Sequence, residues 1–161
     1  MNERDMQFEL YRYRQYRDTL PMMLCNIYFF RWWESDVLYV TRSRYVWEYE
    51  IKLSHSDFLH DSKKAKKHLS MSNGNGPARF YYFCPRDVIS VDEVPDHAGL
   101  LWLIPEEQWV WKRVAVMKEA PQRKTNKLSP DDLQSLMSKS INRYWTLRDK
   151  EYRRVPCSTS R

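Results

Sequence analysis

The chain has 161 residues, a net charge of +6 and a pI near 9.2; 42% of its residues are hydrophobic and 15% aromatic. That length suggests one domain over 1–161 with a real core, and the composition excludes a disordered chain. No apolar run approaches the ~20 residues of a membrane span, the polar start "MNERDMQFEL" lacks a signal-peptide apolar region, and a cytoplasmic location is expected.

Other bulk features point the same way. Cys25, Cys84 and Cys157 form no CxxC pair, so neither a structural zinc site nor a disulfide framework is expected. Seven Trp and eleven Tyr predict an aromatic core, with some exposed rings able to stack on bases. The basic balance is compatible with an anionic partner, nucleic acid being the usual one.

In chain order, 2–19 reads as a helix with Asn2 as N-cap and Met6, Leu10 and Tyr13 inward. From Cys25 to Leu53 the pattern is that of strands, with "NIYFFRWW" first and then two strands joined by a turn near Arg42–Arg44. Ser54–Leu69 reads as a helix, with Ser54 and Asp57 in capping-box spacing. "SMSNGNGPA" is a loop, and "RFYYFC", "GLLWLI" and "QWVWKRVAVMK" read as three more strands. A C-terminal helix is expected over about 129–154, with Pro130, Asp131 and Asp132 at its start. The order helix, three strands, helix, three strands, helix predicts an α/β domain, a mixed sheet flanked by helices.

The hairpin carries charges that need explaining. A turn centred on Ser43 sets Asp36 opposite Glu50 and Glu34 opposite Lys52. Opposed carboxylates on one face are destabilising unless they share a proton or a cation. Tyr45, Trp47, Tyr49, Ile51 and Leu53 fall on one face, and Glu48, Glu50 and Lys52 on the other. Val37, Leu38, Tyr39 and Val40 form an unbroken apolar run, the mark of a strand covered on both faces. Without chemistry, the same pattern is an edge hairpin with a Glu–Lys pair.

Asp36, followed by Glu50–Ile51–Lys52, resembles the active-site motif of the PD-(D/E)XK nuclease superfamily, whose core is restriction-endonuclease-like. "EIKLSHSDFLHDSKK" is similar to the segment E-(I/V)-K-x-S-x-x-D-F-x-x-D-x-K of its MmcB-like DNA-repair nuclease branch. "RFYYFCP" and "VPDHAGLLWL" resemble that branch's next strands, so the resemblance spans roughly 34–104. Where the branch tends to have an aromatic after its second lysine, this chain has Lys64.

The resemblance implies a metal-dependent nuclease acting on DNA, in repair, recombination or phage DNA processing; small phage-encoded nucleases have similarly short chains. It implies that Asp36 and Glu50 bind Mg²⁺ or Mn²⁺, with the Ile51 carbonyl as a further ligand, and that Lys52 orients the attacking water. Glu34 would join the site or pair with Lys52. The superfamily often adds an acid from the first helix, and Glu3 and Glu9 both flank the inner face there, Glu3 being favoured as nearer the rim. Lys63, Lys64, Lys67 and His68 on the following helix would contact phosphates, or form a solvated basic face. Asp61 would pair with Lys64 or its neighbours. Many such nucleases are dimers, so a homodimer is an expectation from the resemblance. The rival readings are a nucleic-acid-binding module of the same fold without catalysis, and a phage accessory or interaction protein.

Overall fold

The structure is a computed structural model that describes residues 1–18, 22–29, 33–61 and 76–154, with the side chains of residues 110 and 154 excluded. The chain divides into two compact units, Met1–Lys127 and Leu128–Arg161. The first holds helix α1 (Glu3–Arg17), strands β1 (Met22–Tyr28), β2 (Glu34–Val40) and β3 (Val46–Ile51), helix α2 (His55–Asp61), and strands β4 (Arg79–Pro85), β5 (Gly99–Leu103) and β6 (Val114–Lys118). The second holds helix α3 (Pro130–Arg154). The fold is α/β, with a mixed sheet flanked by helices as expected.

The six strands lie in chain order across one sheet. β1, β2 and β3 are antiparallel neighbours, β3, β4 and β5 run parallel, and β6 returns antiparallel to β5. A parallel step needs a crossover, and α2 begins the one between β3 and β4.

The two faces of the sheet bury different layers. Met6, Leu10 and Tyr13 of α1 pack on Val37, Tyr39, Tyr49, Ile51, Tyr81, Phe83, Leu101 and Leu103. Phe58 of α2 packs on Phe80, Tyr82, Cys84 and Leu100, with Ile89, Val94 and Ala98 closing that layer. The alternation in β3 therefore sends Tyr49 and Ile51 to α1 and Glu48, Glu50 and Lys52 toward α2. Leu53 is exposed and follows the end of β3, so it does not extend the apolar face.

The hairpin turn is built as its sequence predicts. Thr41 N–H donates to the Tyr45 carbonyl and Arg44 N–H to that of Thr41, with Arg44 at φ 67. The ladder runs Val40↔Val46, Tyr39↔Trp47, Leu38↔Glu48 and Val37↔Tyr49, the register of a turn centred on Ser43.

Helix ends follow local chemistry. Asn2 and Asp5 form a reciprocal capping box on α1. Asp57 N–H donates to Ser54 Oγ at the start of α2. At α3, Asp132 Oδ2 accepts from Ser129 N–H and Oγ–H, while Asp132 N–H donates to Ser129 Oγ. The expected strand over "QWVWKRVAVMK" is shorter than its pattern: Val110–Lys112 forms a 3-10 turn and pairing begins only at Val114. Arg113 Nε donates to the Glu107 carbonyl and Ile104 N–H to that of Arg113, which closes a turn in place of a longer ladder. Among the described residues, no helix is long and apolar enough to cross a membrane.

Where β4 and β5 meet, Gly99 lies opposite Tyr81. A Cβ there would sit 2.5 Å from Tyr81 Cδ1 and 2.6 Å from the Ala120 backbone nitrogen. The Tyr81 ring is itself stacked on Tyr49, with centroids 5.5 Å apart, so it has little room to yield. Gly99→Ala is expected to lower stability by about 1–3 kcal/mol, the usual cost of overpacking, read as a lower urea midpoint with unchanged slope.

Candidate functional site

The site is built around Lys52, which follows the last residue of β3. Its N–H donates to the Phe83 carbonyl at 3.0 Å, so it extends the β3–β4 edge before α2 begins. Its ammonium is almost fully buried. Nζ lies 2.9 Å from Glu50 Oε1, 3.3 Å from Asp61 Oδ1 and 3.9 Å from Asp57 Oδ1. Glu50 and Asp61 are also buried, while Asp57 is half exposed. Tyr82 of β4 donates its hydroxyl to Asp61 Oδ2 at 3.0 Å, and burial beside Asp61 raises that phenol's pKa. One lysine thus gathers side chains from β3, α2 and, through Asp61, β4.

Asp36 enters from β2. In the observed register, the step beyond Val37↔Tyr49 sets Asp36 against Glu50. There Asp36 Oδ2 accepts from the Ile51 N–H at 2.7 Å. Burial pushes the Asp36 carboxyl up to about 7, and the Glu50 charge and then Glu3 act in the same direction. The Ile51 N–H and Lys52 oppose that rise.

The backbone is irregular on the other side of Asp36 as well. The β1–β2 ladder passes from Cys25↔Val37 to Ile27↔Ser35, and the skipped pair is Asn26 and Asp36. Asn26 has φ 49, a left-handed conformation that Asn tolerates better than most residues. Gln7 Nε2 of α1 donates to Asn26 Oδ1 at 2.9 Å, to Glu3 Oε1 at 2.8 Å and to the Asp36 carbonyl at 3.3 Å. Asn26 Nδ2 donates to Glu3 Oε1 at 2.7 Å. A non-glycine residue held at positive φ by such a network is the kind of local strain that collects at functional sites.

The candidate residues of the sequence separate into groups. Asp36, Glu50, Lys52 and the Ile51 backbone come together. Glu3 lies on the Asp36 side of α1, whereas Glu9 is held away from it by Arg113 at 3.0 Å and Arg12 at 3.6 Å. Glu34 is not placed against Lys52. It is the exposed first residue of β2, opposite Tyr28 of β1, because the β2–β3 ladder ends at Val37↔Tyr49. Lys52 continues toward β4 and α2 and pairs there instead. Asp61 pairs with Lys52, while the lysines after it, its expected partners, lie outside the described residues. Lys63, Lys64, Lys67 and His68 lie outside the described residues.

Sequence reasoning passed over other buried polar groups here. Glu48 is fully buried on the Glu50 face and accepts from Trp33 Nε1 at 2.9 Å. Its parity with Glu50 and Lys52 was the one signal that could have marked it. Gln7, Asn26 and Tyr82 had no such signal, since their roles arise only from packing between elements. Cys84 is buried and its thiol is pushed up to about 12, which keeps it protonated and poorly nucleophilic.

Among the described residues, no group of three or more His, Cys, Asp or Glu side chains is arranged to hold a metal ion. A cation here would rest on two carboxylates, Asp36 and Glu50, with backbone oxygen and water completing its shell. The donor set fits a hard divalent cation, which takes oxygen ligands and keeps several waters. The raised Asp36 carboxyl fits it too, because the Glu50 charge that opposes its ionisation is a charge such a cation would offset.

The Asp36 shift has a stability consequence in metal-free protein. Between its ordinary 3.8 and about 7, the folded protein holds a proton that the unfolded chain has lost. Stability therefore falls as pH rises through that window and levels off above it. Asp36→Asn keeps an oxygen for the Ile51 N–H and removes the titration. With chelator present, it is expected to be more stable than wild type at pH 8 by about 2–4 kcal/mol relative to the difference at pH 4. Parallel pH profiles from urea unfolding of the two proteins would contradict the assignment.

No family model matches the chain, and no curated protein matches it. A solved structure, the "SPO1766 protein of unknown function from Silicibacter pomeroyi", is similar with a TM-score of 0.62 at 22% identity. The match covers 88% of this chain and 90% of that one, and at this identity it supports the α/β fold alone.

Proposed function

We propose that the chain is a metal-dependent nuclease of PD-(D/E)XK type, with a restriction-endonuclease-like core, that hydrolyses DNA phosphodiester bonds in repair, recombination or phage DNA processing. The observation that carries this reading is the meeting of Asp36 and Glu50 from adjacent strands, with Lys52 2.9 Å from Glu50. Asp36, Glu50 and the Ile51 carbonyl would hold Mg²⁺ or Mn²⁺, which when bound polarises a phosphate and lowers the pKa of a water molecule.

The chain's own residues supply the rest. Lys52 fixes the Glu50 carboxylate and sets a positive charge beside the place where phosphate charge builds. Asp61, itself anchored by Tyr82, holds Lys52 from the far side. Glu3 and Gln7 fix the backbone around Asp36 through Asn26. Lys63, Lys64, Lys67 and His68 follow Asp61 in the chain and belong to the reading as phosphate contacts.

One observation favours a second reading, a DNA-binding module without catalysis. Lys52 is buried and already paired with two carboxylates, an arrangement that also serves as a structural tie.

Cleavage of supercoiled plasmid with Mg²⁺ or Mn²⁺ separates the two. Wild type is expected to nick DNA, chelator to abolish nicking, and Asp36→Asn, Glu50→Gln and Lys52→Ala each to lower the rate at least ~100-fold. Equal residual activity in wild type and all three variants would sink the nuclease reading. Tight DNA binding by a wild type that never cleaves would establish the second.

A further inference from the structure

A ladder of planar side chains runs along the outer surface of α1. Phe8, Arg12 and Tyr16 are spaced four residues apart and so share one stripe, away from the buried Met6–Leu10–Tyr13 face. Phe8 is 58% exposed and Tyr16 62%. The Arg12 guanidinium lies over the Phe8 ring, 5.7 Å from its centroid. Tyr16 stacks on Trp111 of the 3-10 turn, with centroids 4.6 Å apart and planes within 15°. Trp111 in turn meets Trp109, with centroids 4.9 Å apart and planes at 32°, and Trp109 is 54% exposed.

Burying apolar area does not account for this arrangement, since the Phe8, Tyr16 and Trp109 rings are left facing solvent. Aromatic faces and a guanidinium in series are what unpaired bases stack on. The edges carry positive charge. Arg17 and Lys112, both exposed, follow Tyr16 and Trp111 in the chain, and the Glu9 carboxylate is already held by Arg113 and Arg12. The ladder also has a direction. Phe8 to Tyr16 covers about 12 Å of helix, and the Phe8 end is the one nearer Glu3 and Gln7, which lean on Asp36.

We propose that Phe8, Arg12, Tyr16, Trp111 and Trp109 form a stacking track for single-stranded DNA. The binding stands on these side chains; that the track feeds the strand to the Asp36–Glu50–Lys52 site rests on the nuclease reading. Base pairs hide their faces within a duplex, so the track selects unpaired strand.

The test is fluorescence anisotropy of a labelled oligothymidylate of about 12 nucleotides, within the 4–16 that such sites span, in chelator so that nothing is cut. Wild type is expected to bind it better than a duplex of equal length. Tyr16→Ala and Trp109→Ala are each expected to weaken single-strand binding by about 5- to 150-fold, with Trp109→Phe retaining most of it. Lys112→Gln should shallow the logarithmic salt slope by about 0.7. Unfolding midpoints equal to wild type confirm that the exposed variants fold. Single-strand binding that survives both alanine variants unchanged, or a wild type that ignores single strands, overturns the track. If wild type binds single strands and still shows no metal-dependent cleavage, the nuclease reading fails while the track stands.

Discussion

An ammonium group taken out of water is expensive, and the first unit is arranged around one. Lys52 sits at the junction of β3, β4 and α2, almost without solvent. Removing such a charge from water costs several kcal/mol, and attraction offsets this only where partner geometry is good. Glu50 supplies one partner from the same strand, and Asp61 supplies the other from the last turn of α2. The ion pairs therefore fix where α2 sits on the sheet, while Tyr82 fixes Asp61. Loss of any one member leaves another charge buried without its partner, which typically costs 3–5 kcal/mol. The same tie that secures the crossover presents Glu50 to Asp36.

The two sides of Asp36 are handled differently, and the contrast explains its local freedom. Toward β3, its carboxylate takes the Ile51 N–H where a ladder bond would otherwise continue. Toward β1, its carbonyl takes a side-chain donor from Gln7, and the residue opposite is turned to positive φ. Asp36 is thus released from regular pairing on both edges while its neighbour Val37 stays paired on both. Regular sheet runs up to the candidate site and stops there, leaving a carboxylate aimed by polar contacts instead of by the pleat.

Much of the fold was legible because it is written locally. The turn at 42–44 set the hairpin register, and the register brought Asp36 to Glu50. Alternation in β3 gave the sidedness of Glu48, Glu50 and Lys52, and Asn2, Ser54 and Pro130 marked the helix starts. What was not legible depends on partners distant in sequence. The Lys52–Asp61 pair was not foreseen, because periodicity sees i+3 neighbours along a helix and cannot see Lys52 coming from the strand. Glu34 was placed against Lys52 by extending a ladder past its end. The strand over Trp109–Arg113 was drawn from β-favouring residues, yet Trp111 in a 3-10 turn stacks on Tyr16 and meets Trp109 at a tilt. Side-chain packing outweighed backbone propensity there, as it often does for aromatic segments.

The aromatic richness of the sequence resolves into two uses that obey one rule. On the α1 face of the sheet, Arg14 lies 4.7 Å from the ring centroids of both Tyr39 and Trp47 and donates to the Tyr49 hydroxyl. There the rings wrap a buried cation, and burial raises the Tyr49 phenol's pKa, keeping it a neutral partner. On the outer surface of α1, Arg12 over Phe8 and the Tyr16–Trp111 stack repeat the same planar chemistry without a cover. The inner Arg14 of α1 is wrapped by several aromatic faces, whereas the outer Arg12 has the single Phe8 ring beside it. The outer faces remain available to flat, weakly hydrated groups, which is the physical basis of the proposed single-strand track.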